Sequence, residues 1–281
     1  MRGTVNALGE LRGNLVISVG SKLFVRSFTN NDSLISIAFM DCQSWVKSLT
    51  GFKNYLLIGD LINSIWFAGF QEDGPTKVQV IGRDYYNRLP VEYTDLVVYG
   101  QQMQILVADS HGNMHFFMYA PRDLHSSSGL KLLRRGEYNL RSRITGVKRL
   151  VAPSTATKVV GGSAVEPLQQ QVCMVATESG SVCAVTVLPE KVFKRLHRIN
   201  TQLVHGIPPL AGLNPREYRS VPFNQRQHQA PRRTVLDADL LVPFYAHGPS
   251  SRQREAAQRD GTSADRVLRD IVEAELRFAF F

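Results

Sequence analysis

Apolar and polar residues alternate with a period of two from Met1 to about Pro189, and short polar turns break the alternation. Four stretches share one form. Asn14–Gly20 turns into Lys22–Phe28, and Tyr55–Asp60 into Ser64–Phe70. Gln104–Asp109 passes His111-Gly112-Asn113 into Met114–Tyr119, and Val172–Thr177 passes Glu178-Ser179-Gly180 into Ser181–Val187. Each is a β-rich run that closes on Gly, Asp or Thr and leaves through a tight turn as a second β-rich run, the signature of a hairpin. The hairpins recur roughly 40 to 70 residues apart, a spacing that fits propeller blades carrying insertions. Further candidate strands at 34–40, 76–81, 95–99 and 144–150 would complete several blades. A β-sandwich gives the same alternation, but the recurring hairpin favours a mainly β fold built as a partial β-propeller.

About four blades are legible, fewer than a closed ring of this kind uses, and the chain begins inside a strand-like repeat. The expectation is therefore the C-terminal blades of a longer protein, or a chain that borrows blades from a partner. Pro121–Leu130 and Ala152–Gln170, the latter with Gly161-Gly162-Ser163, are rich in turn formers and poor in large apolar residues. They are expected to be exposed, flexible insertions.

After Pro189 the period changes. Val192, Leu196, Ile199 and Leu203 make an apolar stripe at helical spacing. Thr234–Leu241 predicts a short helix stopped by Pro243, Ser250–Asp260 a weak polar one, and Thr262 with Asp265 a capping box opening a last helix. Val267, Leu268, Ile271, Val272 and Leu276 form a face of that helix that must pack on something. Between them, Asn214 and Pro215 suit a helix start, and 221–233 reads as a polar connector. The chain thus divides into propeller blades over 1–189 and a small helical domain over 190–281.

Composition narrows the function classes. No apolar run approaches the ~20 residues that a membrane-spanning helix requires, so no membrane partner is expected. Met1–Val5 lacks a charged-then-apolar signal pattern. Three cysteines, Cys42, Cys173 and Cys183, without CxxC spacing suggest a reducing compartment and no structural zinc. A net charge of +9 and a pI near 9.6 favour nucleic acid or acidic proteins as partners.

Catalytic patterns are missing. There is no phosphate-cradling GxxxxGK and no GxSxG elbow. His111 and His115 straddle a hairpin turn rather than one helix face, so a metal site is not expected. Asp60 and Asp109 stand at turn entrances, where an Asx-turn accounts for them. No cofactor is implied, and the chain reads as a binding or scaffold protein rather than an enzyme. The densest cationic stretch is Lys131, Arg134, Arg135, Arg141, Arg143, Lys148 and Arg149, with Tyr138 among them. It is a candidate contact for an RNA backbone, with aromatic stacking in support, or for an acidic partner; a solvated blade edge gives the same pattern.

Several stretches together resemble one family. Met114–Pro121 (MHFFMYAP), Gly129–Arg135 (GLKLLRR), Ala211–Arg219 (AGLNPREYR), Val235–Leu241 (VLDADLL) and the segment from Val267 to Phe281 are similar, in order, to the large subunit of the cleavage and polyadenylation specificity factor. The large subunits of a damaged-DNA-binding ubiquitin ligase and of a splicing factor share the wider pattern. Gly212, Leu213, Asn214, Pro215 and Arg216 look particular to the polyadenylation branch, while Leu236, Asp237, Asp239 and Leu240 are similar across the group. The resemblance implies a seven-bladed propeller completed by C-terminal helices. It further implies a nuclear, non-enzymatic scaffold for mRNA polyadenylation that holds WD-repeat and zinc-finger subunits near pre-mRNA. Direct RNA binding, or a scaffold role in the related complexes, is the alternative. The loop from Arg83 to Pro90, with Tyr85-Tyr86-Asn87-Arg88, looks longer than the family pattern.

Overall fold

The computed structural model describes residues 3–30, 33–42, 44–72, 77–85, 88–99, 102–151, 159–160, 163–164, 171–206, 211, 219–221, 234–248 and 250–278. Blade 1 is the antiparallel meander β1 (Val5–Leu11), β2 (Asn14–Val19), β3 (Lys22–Phe28) and β4 (Leu34–Asp41). Blade 2 is β5 (Val46–Phe52), β6 (Tyr55–Asp60), β7 (Ser64–Gln71) and β8 (Lys77–Arg83). Blade 3 is β9 (Val91–Tyr99), β10 (Gln102–Asp109), β11 (Asn113–Met118) and β12 (Leu133–Asn139). Blade 4 joins β13 (Ile144–Val151), β16 (Gln171–Thr177) and β17 (Val182–Val185), with a small hairpin, β14 (Val159–Val160) and β15 (Ser163–Ala164), between its first two strands. These four blades form a β-propeller arrangement in which first strands neighbour one another: β1 lies beside β5, β5 beside β9, and β9 beside β13.

The strand register explains why the blades stack. In blade 2, Leu49, Ile58 and Trp66 align across three strands and pack against Leu11, Val16, Leu23 and Val25 of blade 1. In blade 3 the corresponding row is Leu96, Ile105 and Phe117, packed against Leu57, Ile65 and Phe67 of blade 2. In blade 4 it is Val147, Val175 and Cys183, against Leu106, Met114 and Phe116 of blade 3. Blades 2 and 3 therefore bury both faces, and each fully buried aliphatic or aromatic side chain contributes on the order of 1.5–3 kcal/mol. Blade 1 carries the same row, Leu8, Ile17, Phe24 and Phe39, on the face turned away from blade 2. Leu8 and Phe39 are 61% and 65% exposed there.

Near the first strands the seams are close enough to select residues. A Cβ on Gly51 would stand 1.9 Å from the Glu10 carbonyl oxygen, so only glycine lets β5 approach β1. Between blades 2 and 3, Thr94 N–H donates to Ser48 Oγ (3.0 Å) and the Thr50 hydroxyl to Thr94 O (2.7 Å). Between blades 3 and 4, Arg149 N–H donates to Asp95 Oδ2 (2.7 Å), and Val98 N–H to Gln171 Oε1 (2.9 Å).

The helices are α1 (Glu190–Gly206), α2 (Ala238–His247), α3 (Ser250–Arg259) and α4 (Ala264–Leu276). They bury a core of Leu196, Ile199, Leu241, Tyr245, Ala257, Val267 and Ile271, so the stripe on α1 does what its spacing predicts. Three expectations need correction. Pro243 does not stop a helix at 241: it sits inside α2, which starts after the Asp237 cap. Proline there removes a helix bond and crowds the carbonyl four residues back, and the burial of Leu241 and Tyr245 on either side offsets that cost. The cap of α4 is Ser263, whose side chain accepts from Arg266 N–H, and not Thr262. On α4 only Val267 and Ile271 of the apolar face are buried, while Leu268, Val272 and Leu276 stay exposed. The weak polar helix is α3, anchored by Ala256 and Ala257.

Pro121–Leu130 is also not a loose insertion. A short 3-10 turn at Leu124–Ser126, capped by Asp123, places Ser126 fully inside. Arg83 N–H donates to Leu130 O and Leu132 N–H to Arg83 O, so the returning chain pairs with the outer edge of blade 2. The Ala152–Gln170 loop, apart from its small hairpin, and the connector from 222 to 233 lie outside the described residues. We expect Gly51→Ala to destabilise the chain by about 3 kcal/mol, since a methyl group there overpacks the β1–β5 approach. Urea unfolding measures it, and a cost under about 1 kcal/mol would contradict the tight seam.

Candidate nucleic-acid and partner interface

The seven cations of the 131–149 stretch do not form one stripe, because antiparallel strands carry them to three places. Lys131, Arg134 and Arg135 lie along the outer edge of blade 3: the backbone of Lys131 forms a β-bridge with that of Arg83, the Arg134 side chain pairs with Glu137 (3.2 Å), and that of Arg135 with Asp123 (3.5 Å). Arg141 and Arg143 lie in the link from β12 to β13. Arg141 adopts a left-handed conformation (φ 61°) with its N–H on Asn139 Oδ1, and Arg143 pairs with Glu92 at 2.6 Å. Lys148 and Arg149 belong to β13 beside β9. Lys148 is exposed, whereas Arg149 lies over the Phe52 ring at 5.0 Å. Burial pushes the Asp95 carboxyl between these blades above its usual range, against the pull of the Leu96 and Arg149 N–H groups and of the Arg149 and Lys148 charges.

Asp60 and Asp109 anchor the hairpin turns. Asp60 Oδ1 accepts from the N–H groups of Ile62 (2.7 Å) and Asn63 (3.0 Å). Asp109 Oδ1 accepts from His111 N–H (2.8 Å) and Asn113 N–H (2.9 Å), and Oδ2 from the Asn113 amide (2.8 Å) and His115 Nε2 (3.0 Å). Burial alone would raise this carboxyl, but the hydrogen bonds from His115 and Asn113 outweigh it and hold it below the usual range. His115 is therefore a buried partner of a turn-closing carboxylate, to which His111 donates its backbone N–H. Burial raises the thiols of Cys42, to about 12, and of Cys173 and Cys183, which makes all three poor nucleophiles.

The ends of two signature stretches meet at blade 3. Arg219 O accepts from Asn139 N–H (3.0 Å), and its guanidinium lies over the Tyr138 ring at 5.3 Å. The same guanidinium pairs with Asp237 (3.5 Å) and Asp239 (3.4 Å) at the start of α2. Burial beside Asp237 raises the Tyr138 hydroxyl. Leu236 joins the helical core, and Leu240 is half-buried on α2. Gly212, Leu213, Asn214, Pro215 and Arg216 lie outside the described residues. The clasp was not foreseen from the sequence; a lone Arg at the end of one motif and two Asp in another carry no pairing signal.

Residues 1–246 match the model of the CPSF A subunit region, which takes in all four blades, α1 and most of α2. The chain belongs to that family. It is similar to protein cft1 of Aspergillus clavatus, 32% identical over 286 aligned residues that cover 96% of this chain and 20% of the relative. It is similar also to a protein of Oryza sativa subsp. japonica described as a probable cleavage and polyadenylation specificity factor subunit 1, 29% identical over 99% of this chain and 19% of the relative. Subunit 1 of that factor from Arabidopsis thaliana is 28% identical over 100% of this chain and 19% of the relative. The chain spans about one fifth of the length of these curated relatives. The family region runs across the Arg219 clasp, so blades and early helices are matched as one unit.

Asp109→Asn should cost about 3 kcal/mol, because an amide nitrogen would then face two donors, the Asn113 amide and His115 Nε2. The sign with pH follows from the lowered carboxyl. Its stabilisation is present above the unfolded value of about 3.9 and is lost as pH falls through the lower folded value. The parent chain should therefore lose stability as pH falls from about 4, and Asp109→Asn should flatten that slope. Urea midpoints measured across pH would refute the assignment if the two slopes coincide.

Proposed function

We propose that the chain is a non-enzymatic scaffold segment of the nuclear machinery that cleaves and polyadenylates pre-mRNA, working beside WD-repeat and zinc-finger subunits of that complex. The observation that supports it most is alignment over 99% and 100% of the chain with proteins described as subunit 1 of the cleavage and polyadenylation specificity factor. The site geometry is consistent with a scaffold. Buried ionisable groups such as Asp60, Asp109 and His115 are engaged in closing turns, while the outer face of blade 1, with Leu8 and Phe39, is left to carry contacts. In this reading residues 1–189 are propeller blades and 190–281 a helical domain clasped to blade 3 through Arg219. The exposed row of blade 1, Leu8 and Phe39, seats a further blade or a partner's sheet.

The cations of 131–149 are assigned in the same reading to an acidic partner, with pre-mRNA held through the complex. Salt pairing of Arg134, Arg135 and Arg143 with carboxylates of this chain lowers what they offer to phosphates.

Affinity capture of the full-length protein from nuclear extract should recover the other polyadenylation subunits, identified by mass spectrometry. Recovery of ubiquitin-ligase components in their place would overturn the assignment. The double substitution Arg141→Ala with Lys148→Ala should leave the salt slope of RNA binding by the purified chain unchanged. A slope shallower by about 0.7 for each phosphate no longer neutralised on a single strand would instead make the chain itself an RNA binder.

A further inference from the structure

One rim of blade 2 gathers residues that neither the fold nor the 131–149 cations use. Trp45 precedes β5, Ile62 sits in the β6–β7 turn, and Tyr85 follows β8, so the meander brings all three to the same end of one sheet. Leu61 N–H donates to Trp45 O, which ties the first two together. The Ser64 hydroxyl donates to Asp84 Oδ2 (2.8 Å), which ties the start of β7 to the residue before Tyr85. Trp45, Ile62 and Tyr85 are 50%, 54% and 52% exposed. Arg83 lies over the Tyr85 ring at 4.0 Å, Lys47 is exposed as the second residue of β5, and Arg88 is exposed in the link from β8 to β9. Of the carboxylates near this rim, Asp60 and Asp84 are buried and accept hydrogen bonds from hydroxyl and N–H groups, while Asp41 at the end of β4 is exposed.

We infer that this rim is a docking site for an acidic protein segment that carries apolar anchors. Trp, Tyr and Arg are the side chains that most often dominate protein interfaces, and three large exposed apolar groups in a row depart from the scattered pattern of ordinary surface. The arrangement has an apolar centre and a cationic margin. An interface of that form buries its centre and places charge at the rim. The excess of positive charge selects a partner with Asp or Glu spaced around Leu, Ile or Phe. Ile62 between the two aromatics favours a protein over single-stranded nucleic acid, which needs stacking faces.

The test uses the chain's own reporter. It has two tryptophans, and Trp66 is 5% exposed, so acrylamide quenching of the whole chain reads mainly Trp45. Three probes are titrated: a synthetic peptide alternating glutamate with leucine and phenylalanine, the same peptide with lysine for glutamate, and oligouridylate RNA. The acidic peptide should protect Trp45 saturably. Lys47→Glu with Arg88→Glu should weaken that protection about tenfold and let the lysine peptide protect instead. If the double reversal lowers the thermal midpoint, Ile62→Ser, a change in an exposed turn, replaces it and should weaken protection to the same extent. No protection, equal protection by both peptides, preferential protection by the RNA, or substitutions without effect would each overturn the proposal.

Discussion

Close packing of first strand on first strand is the constraint from which the rest follows. The approach of β5 to β1 leaves no room for a methyl group at Gly51, and it sets the distance at which one blade's cross-strand row can enter the next blade's face. Leu49-Ile58-Trp66, Leu96-Ile105-Phe117 and Val147-Val175-Cys183 are then interchangeable in role although different in sequence. What repeats along the array is a register, not a motif. Because each row needs a facing surface, a blade is stable only in an array, as expected for units that cannot bury their own apolar faces.

The helical part solves a local version of the same problem. Among the described residues blade 4 has three strands in its sheet, and Val235, just before α2, enters the core shared with Val185 and Val187. The segment that delivers it is fixed from both sides. Thr234 donates to Arg135 O, and Arg219 bridges Tyr138 to Asp237 and Asp239. Farther along, Arg277 lies over Tyr99 and donates to Val187 O. Arg195 pairs with the buried Asp270 to hold α1 on α4. The buried carboxylate has a charged partner, which is what makes its position tolerable inside a helical core.

Strand existence was legible wherever large β-branched and aromatic residues alternate, as in β2, β3, β6, β7, β10, β11, β16 and β17. It was not legible for β1, β5 and β12, whose sequences (VNALGEL, VKSLTGF, LRRGEYN) mix glycine and charge. Glycine at 9 and 51 reads as a breaker in sequence, yet it is what close approach between blades requires. The Pro121–Leu130 loop escaped for a related reason: its polar composition suggested solvent, but Ser126 and the backbone of Leu130 are engaged with neighbouring chain. Helix ends slipped by a residue or more where two candidate caps adjoin, as with Thr262 and Ser263. The anchoring Asp60 and Asp109 were visible as turn residues, whereas the partners of Asp109 depended on fold.

Surface chemistry is the level least available to a linear reading. Seven cations between 131 and 149 look like one patch in sequence, but hairpin geometry sends neighbours to an outer edge, a link and an inner strand, and carboxylates from 92, 123 and 137 neutralise several of them. The converse also holds. Trp45, Ile62 and Tyr85 are about twenty residues apart, the length of two strands and a turn in this meander, and so recur at one rim. In a propeller, therefore, sequence neighbours tend to part and residues spaced by a strand pair tend to meet. A functional surface on such a fold has to be sought at intervals of the hairpin, not in runs of like charge.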